Sequence, residues 1–473
     1  MNARFCDFVK GFLHAFSANV IRLCISIILT LFLPKVLGVE EYSYWQLYLF
    51  YVTYTAYSSL GFCEGTYLKY GGKRYEELDK KIMASQFWTL AIYEICFGLV
   101  CGAVFTCFVG DADKRYLLCL ALVSSFFDIL RYLLQCVLQA TSRIQDFAKV
   151  MTAERILFFL FLSILAGLGY RSCHSCIFSE ILARIVSMGY GMMVSRDTVF
   201  VRFSFGKESR SESKELVEIG FKLLLANLAS QLVIGIVRFM IEQRWGTIVF
   251  GKVSLTLSLS NMVITCIGAV SIVLFPALKN MDQDKLERLY GTMRMALTAP
   301  VLSVLLFYVP VKLVLGLWLP QYQDSLHYLA VIMPVSVYET RFYALINTYF
   351  KAYRKENQIL FVNVITVLLS LAVSFCTVFL LDSLDLSVMV IVAVIVFKSV
   401  LSEWILKNYV SMDVLCDNLL EIALTLVFIV SNLKMGSFYA FGIYLVSYMG
   451  YLVLRKKEIA EQFSRIKRIV VER

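Results

Sequence analysis

The sequence is short of charge, because Asp, Glu, Lys and Arg make up 17% of its 473 residues against about 25% in ordinary soluble domains. Histidine is also scarce, and its three residues are scattered at His14, His174 and His327, which excludes a metal cluster built on them. No G-x-x-x-x-G-K-[ST] motif is present, so nucleotide hydrolysis by a P-loop is excluded. We therefore expect no metal site, no catalytic residues and no enzyme activity.

Apolar residues are abundant instead, at 59% of the chain, and the mean hydropathy is +0.73. Apolar runs recur along the sequence, each near the ~20 residues that cross a hydrocarbon core. Continuous runs such as 157–168 and 359–381 favour helices over the alternating strands of a barrel. The sequence thus predicts an all-α integral membrane protein of about 14 transmembrane helices. We expect these helices near 11–34, 45–68, 83–110, 116–140, 148–170, 175–196, 215–241, 247–277, 295–318, 325–350, 357–381, 386–408, 415–432 and 436–454.

The basic residues predict the orientation. Lys and Arg, 45 in all, concentrate in 69–81, 196–214 and 455–473, whereas the loops around Gln321 and Asp382 carry none. Cytoplasmic loops carry the positive excess in membrane proteins, so we expect both termini in the cytoplasm. The net charge of +10 then reflects loops that face an anionic leaflet, and it is no evidence for a nucleic acid partner.

Two parts of the sequence predict an internal repeat. Ala18-Asn19 and Ala226-Asn227 are each followed, twenty residues after the alanine, by a glycine, Gly38 or Gly246. A common offset of 208 residues suggests two six-helix bundles in parallel orientation, a transporter architecture with the substrate path between the bundles. The predicted domains are an N-terminal lobe (1–197), a cytoplasmic linker (198–214), a C-terminal lobe (215–410), two additional helices (411–454) and a basic cytoplasmic tail (455–473).

Several cations lie within predicted helices, where an ionisable group is costly and usually faces a cavity or a partner. Arg131 and Arg184 have same-face acids three and four residues away, which favours pairing within the helix. Four others lack an obvious acidic partner on their own helix, and such cations would suit an anionic passenger. Snorkelling to an interface or pairing between helices is the alternative for each of them. The candidate substrate-binding residues are Arg22, Arg238, Arg341, Lys398, Arg131 and Arg184.

The acidic counterparts are Glu94 and Glu64, in the third and second predicted helices. Glu94 lies near mid-depth without a partner on its own helix, so two interpretations are open. It could carry a coupling proton or sodium ion, or it could pair with Arg22 or Arg184 of a neighbouring helix, and we expect the pairing. Apart from such a coupling ion, the sequence predicts no cofactor.

Two stretches near the start resemble a known family. Residues 32–48 read FLPKVLGVEEYSYWQLY and residues 60–73 read LGFCEGTYLKYGGK. They are similar to the first two helices of Wzx-type polysaccharide biosynthesis proteins. These are lipid-linked oligosaccharide flippases of the multidrug/oligosaccharidyl-lipid/polysaccharide (MOP) exporter superfamily, which includes the MATE transporters. Beyond residue 73 the resemblance rests on the plan of twelve helices plus two.

The resemblance implies two six-helix bundles around a cationic cavity. It implies that an undecaprenyl-diphosphate-linked oligosaccharide is moved from the inner to the outer leaflet by alternating access, for O-antigen or another surface polysaccharide. The implied location is the bacterial cytoplasmic (inner) membrane. Membrane lipid, the polyisoprenyl-diphosphate-linked glycan and other polysaccharide-assembly proteins would be its partners.

Two other functions compete with this one. A cation-coupled multidrug or small-molecule exporter of the same superfamily would have acidic residues dominating the cavity of one lobe. A membrane-embedded glycan polymerase or ligase would need a large outer loop with catalytic groups, and the predicted loops are too short for one.

Overall fold

The structure, a computed structural model, describes residues 3–202, 206–279, 283–410 and 414–456. Within these ranges the side chains at 3–19, 208, 266–288, 324 and 356 are not described. The described residues form helices and turns without a strand. Twelve of the helices are long and apolar enough to cross a membrane, so the protein is a multi-pass membrane protein.

Two of these twelve helices each contain two crossings. Val20–Ser59 has 40 residues and Ser209–Thr265 has 57, well beyond the ~20 that one crossing needs. Each is interrupted at a glycine, Gly38 (φ 79°, ψ 179°) or Gly246 (φ 81°, ψ 176°), in a backbone region open essentially to glycine alone. The two breaks raise the described crossings to fourteen and confirm the predicted fold class.

The fourteen helices are numbered in chain order, and several contain short irregular turns. They are α1 (3–37), α2 (39–70), α3 (Lys80–Phe108), α4 (Ala112–Ala140), α5 (Ile144–Gly167), α6 (Cys173–Val194), α7 (207–245), α8 (247–279), α9 (283–318), α10 (323–352), α11 (356–380), α12 (Leu384–Leu406), α13 (Leu415–Lys434) and α14 (Ser437–Leu454).

Most predicted helix ends lie within four residues of the observed ones. The larger differences are at the starts of α1, α2, α7 and α9, which begin six to twelve residues before the predicted positions. Hydropathy detects only the apolar part of a helix. The polar first turns of α7 and α9, at 207–214 and 283–294, are helical without being hydrophobic.

The chain divides into two compact units, Met1–Leu228 (unit 1) and Ala229–Arg473 (unit 2). The boundary falls inside α7, so the lobe limits 1–197 and 215–410 remain a prediction. Helices α13 and α14 belong to unit 2. The predicted linker includes 203–205 and the predicted tail includes 457–473, and these positions lie outside the described residues.

In unit 1, α2 and the first half of α7 cross at backbone contact. A Cβ atom on Gly65 would lie 1.9 Å from the carbonyl oxygen of Leu216, and one on Gly220 would lie 1.9 Å from that of Gly61. No side chain of any kind fits at either position. The glycines therefore permit a helix–helix approach that other residues would prevent.

In unit 2, the break in α9 is stabilised by α14. Pro300 interrupts α9, and the chain then passes through a 3₁₀ turn at Val304–Phe307. The hydroxyl of Tyr448 donates to the carbonyl of Ala299, and that of Tyr444 donates to Leu302, both at 2.9 Å. The two bonds attach α14 to the backbone of α9 on either side of Pro300.

Candidate functional site

Helices α4, α5 and α6 of unit 1 pack against one another and bring charged side chains together at the middle of their lengths. Arg131 pairs with Asp128 on its own helix and with Glu154 of α5, whose Oε2 lies 3.4 Å from its Nη1. Arg184 of α6 pairs with Glu180 at 2.8 Å. Both predicted same-helix pairs are therefore present, and α5 joins them.

Glu154 connects these pairs. Its side chain is buried, and its Oε1 lies 3.9 Å from Nε of Arg184. Its other oxygen lies 3.9 Å from Nε of Arg155. One carboxylate thus faces three guanidinium groups, those of Arg131, Arg155 and Arg184.

Arg22 reaches the same helix from α1. Its side chain is half-buried, and its Nη1 lies 3.4 Å from the sulfur of Met151 on α5. No carboxylate lies within 4 Å of its guanidinium among the side chains that the structure describes. The charge of Arg22 is therefore not neutralised by an ion pair in the described part of unit 1.

The predicted pairing of Glu94 with Arg22 or Arg184 is wrong. Glu94 lies buried in α3 and accepts a hydrogen bond from Ser58 at 2.7 Å, while its second oxygen has no hydrogen-bond partner among the described residues. Arg184 is occupied by Glu180 instead. Glu64 of α2 is likewise buried, with one oxygen that lacks a partner in the described structure.

Lys398 of α12 has an acidic partner in unit 2 that sequence spacing could not show. Its Nζ lies 3.2 Å from Oε1 of Glu339 on α10 and 3.3 Å from the hydroxyl of Ser230 on α7. The same ammonium group lies 4.0 Å from the centre of the Phe342 ring. Phe342 begins a π-helical turn, Phe342–Ile346, of a kind often found at functional sites.

Arg341 belongs to a second buried network in unit 2. It pairs with Glu421 of α13, and its Nη2 donates to Ser399 of α12 at 2.9 Å. Arg294 of α9 joins the network through Glu403 and Glu421, each at 2.8 Å. Its arginines and carboxylates are almost wholly enclosed, so mutual pairing explains their presence in the membrane.

Arg238 of α7 is half-buried. Its Nη2 donates to the hydroxyl of Ser254 at 2.8 Å, and its guanidinium lies 4.8 Å from the centre of the Phe250 ring. Both neighbours belong to α8. The structure therefore gives Arg238 polar and aromatic contacts from the adjacent helix.

The structure thus gathers some predicted residues and separates others. Arg131, Arg184 and Arg22 all approach α5 in unit 1, whereas Arg341 and Lys398 lie in separate clusters of unit 2. Sequence reasoning missed Arg155, whose neighbour Glu154 does not share its helix face. It also missed Arg294, which stands one residue before the predicted ninth helix, and Glu421, which lies in a helix that the repeat left unexplained.

Two ion-pair sites near the polar ends of helices connect separate segments of unit 1. Lys69 binds Glu212 and Glu215. Partial burial lowers the pKa of Lys69, but the two carboxylates outweigh this effect and hold the pKa above its usual value. Partial burial likewise opposes ionisation of Asp197. Hydrogen bonds from Lys80 and Tyr75 outweigh it and hold the pKa of Asp197 below its usual value.

Among the described residues, no group of three or more His, Cys, Asp and Glu side chains is placed to hold a metal ion. Cys173 and Cys176, although they form a C-x-x-C pair, are both buried. The charged clusters of the described chain are instead built from arginines, a lysine and carboxylates.

The fold is similar to solved transporter structures at low sequence identity. The lipid II flippase MurJ, in an inward closed conformation, has a TM-score of 0.65 at 12% identity, over 95% of this chain and 100% of that one. An inward-facing multidrug resistance MATE family transporter of the MOP superfamily has a TM-score of 0.61 at 15% identity, over 82% of this chain and 96% of that one. A MOP superfamily transporter from Pyrococcus furiosus has a TM-score of 0.52 at 12% identity, over 90% of this chain and 97% of that one.

The sequence comparisons differ from one another. No curated protein sequence matches the chain. Residues 74–327 match the family described as polysaccharide biosynthesis protein. That match begins directly after 60–73, the second of the two stretches that carry the local resemblance. With more than half of its length matched, the chain belongs to the polysaccharide biosynthesis protein family and has the fold of MOP superfamily transporters.

Proposed function

We propose that the protein is a flippase that moves an undecaprenyl-diphosphate-linked oligosaccharide from the inner to the outer leaflet by alternating access. In this proposal it lies in the bacterial cytoplasmic membrane with both termini in the cytoplasm, and it works with other polysaccharide-assembly proteins. Family membership and the fold shared with a lipid II flippase support a lipid-linked cargo. Neither identifies the glycan.

The proposal depends mainly on the environment of Arg22. This residue has a half-buried guanidinium near the middle of a membrane helix, and no described carboxylate lies within 4 Å of it. A charge in that position is costly unless something pairs with it. A diphosphate offers the oxygens that a guanidinium binds through two parallel hydrogen bonds, so we assign the headgroup of the cargo to Arg22.

The remaining candidate cations have different proposed roles. Arg238, which is half-buried beside Ser254 and Phe250, would contact the cargo from unit 2. Four further cations are bound to carboxylates, and we propose that they shape the path and exchange partners during transport. These are Arg131, Arg184, Arg341 and Lys398.

Glu94 is the proposed coupling residue. It is buried, holds one hydrogen bond from Ser58 and has no cationic partner among the described side chains. A carboxyl group in such a place can take up and release a proton or a sodium ion as its surroundings change. Glu64 would assist from α2.

The proposal is tested by measuring surface polysaccharide in cells that lack the chromosomal gene and carry a plasmid copy of it. Arg22→Gln should lower export at least tenfold, with normal protein abundance and with lipid-linked glycan accumulating on the cytoplasmic face. Lys149→Gln is the matched control, because it removes one exposed positive charge from α5, and it should export normally. Normal export by Arg22→Gln would contradict the proposal.

The second candidate is a cation-coupled multidrug or small-molecule exporter, which Glu94 favours. It predicts that deletion of the gene sensitises cells to cationic drugs while surface polysaccharide stays normal. Loss of polysaccharide without any change in drug sensitivity would remove this candidate.

A further inference from the structure

We propose that Arg155, together with Arg22, forms a two-arginine site in unit 1 that binds the diphosphate group. The inference rests on the proposed function and adds a residue that sequence reasoning missed. It assigns the anion to two helices, α1 and α5.

The first argument is position. Nη1 of Arg22 contacts Met151 of α5, and residues four apart on a helix share a face. Arg155 stands four residues after Met151 and so projects from the face that Arg22 touches.

The second argument is the balance of charge. The cluster contains four arginines (Arg22, Arg131, Arg155 and Arg184) and three carboxylates (Asp128, Glu154 and Glu180). Asp128 and Glu180 are held by the arginines of their own helices. Glu154 is shared by three cations and lies 0.5 Å nearer to Arg131, at 3.4 Å, than to Arg155, at 3.9 Å. The cluster therefore has one positive charge in surplus. Arg22 has no carboxylate within 4 Å among the described side chains and Arg155 has one only at 3.9 Å, so these two arginines are the least closely paired.

The third argument is access. The side chain of Arg155 is 38% exposed, whereas those of Arg131 and Arg184 are 9% and 7% exposed. Donors of Arg155 therefore remain open to a ligand, while the other two are enclosed by protein. A diphosphate carries its charge on two neighbouring phosphates, so two adjacent guanidinium groups can each take one phosphate.

The experiment measures binding of undecaprenyl diphosphate to the purified full-length chain in detergent, with undecaprenol as the uncharged probe. Arg155→Gln and Arg22→Gln should each weaken binding of the diphosphate at least tenfold and leave undecaprenol binding unchanged. The double variant should be less than tenfold weaker than the worse single variant, because the two residues bind one group. Lys149→Gln should bind as the unchanged protein does.

Arg155→Lys provides a second test if Arg155→Gln does not fold. It keeps the charge but loses the forked donor geometry, and it should bind the diphosphate several-fold less tightly. Binding at the unchanged level by Arg155→Gln, or by Arg155→Lys where only that variant folds, would overturn the two-arginine site. If Arg22→Gln still lost export and binding, the proposed function would stand. Normal export by both glutamine variants would overturn both.

Discussion

Gly38 and Gly246, which lie 208 residues apart in the sequence, have the same unusual backbone conformation. Their φ and ψ angles agree within about 3° (79°, 179° and 81°, 176°). Each lies at the junction between the first and second helix of its half of the chain. The shared conformation is independent support for the repeat, because it concerns backbone geometry rather than residue identity.

Alanine at either glycine should destabilise the protein. Non-glycine residues in this backbone region cost about 1–3 kcal/mol, and a Cβ atom would meet nothing within 4 Å, so the cost is conformational rather than steric. Gly38→Ala and Gly246→Ala should each lower the melting temperature of the detergent-solubilised protein by similar amounts. Gly102→Ala in α3 is the control, since that site is helical and also open. The same melting temperature for all three variants would contradict the expectation.

The crossing of α2 and α7 should tolerate no side chain at Gly65. The methyl group of Gly65→Ala would overlap the Leu216 carbonyl, and a backbone atom cannot move aside as a side chain can. We expect loss of folded protein in size-exclusion chromatography, and Gly220→Ala should behave in the same way. Gly98→Ala, with open space around its Cβ, should elute normally. A monodisperse Gly65→Ala would show that the two helices can separate without loss of the fold.

Replacing only one partner of the buried ion pair between Lys398 and Glu339 should destabilise the protein more than replacing both. Removal of one partner from a buried ion pair costs about 3–5 kcal/mol, because the other charge is left uncompensated. Lys398→Met should therefore lower the melting temperature strongly, and adding Glu339→Leu should restore most of the loss. Arg244→Gln breaks the exposed pair with Asp382 and should change little. No recovery in the double variant would mean that the pair has a role beyond charge compensation.

Asp197 should give unit 1 a pH-dependent contribution to stability. Its pKa is depressed in the folded protein by Lys80 and Tyr75, so the contribution is complete above the unfolded value of about 3.9 and is lost as the pH falls through the folded value. Because the side chain is 38% exposed, its size is at most about 1 kcal/mol.

Melting curves between pH 7 and pH 3 test this contribution. Asp197→Asn should melt below the unchanged protein at pH 7, and the difference should shrink below about pH 4. Glu76→Gln removes one exposed negative charge nearby and should show no such trend. A deficit for Asp197→Asn that stays constant or grows toward pH 3 would refute the assignment.

The membrane helices could be predicted from sequence because the bilayer imposes one length on each apolar run. The breaks at Gly38 and Gly246 could be located as well, since they fall between apolar runs at a common offset. The polar starts of α7 and α9 could not, because helices that extend beyond the hydrocarbon core leave no hydropathy signal.

The pairing of charges was predictable only within a helix. Residues three or four apart face the same side, which identified Arg131 with Asp128 and Arg184 with Glu180. Partners on other helices depend on packing that spacing does not encode. Glu339 beside Lys398 and Glu421 beside Arg341 therefore could not be predicted. The same holds for the lack of a cationic partner for Glu94 among the described side chains.

The ion-pair network around Arg294 joins residues of unit 2 that are synthesised at different times. Arg294 and Arg341 leave the ribosome before Glu421 and Asp417, which α13 supplies. Until then the nascent chain holds two membrane-embedded guanidinium groups against Glu403 alone. Translation of α13 thus completes the ion pairs of Arg294 and Arg341. A message cut short before residue 415 would yield a chain whose internal charges stay unbalanced, however well its earlier helices insert.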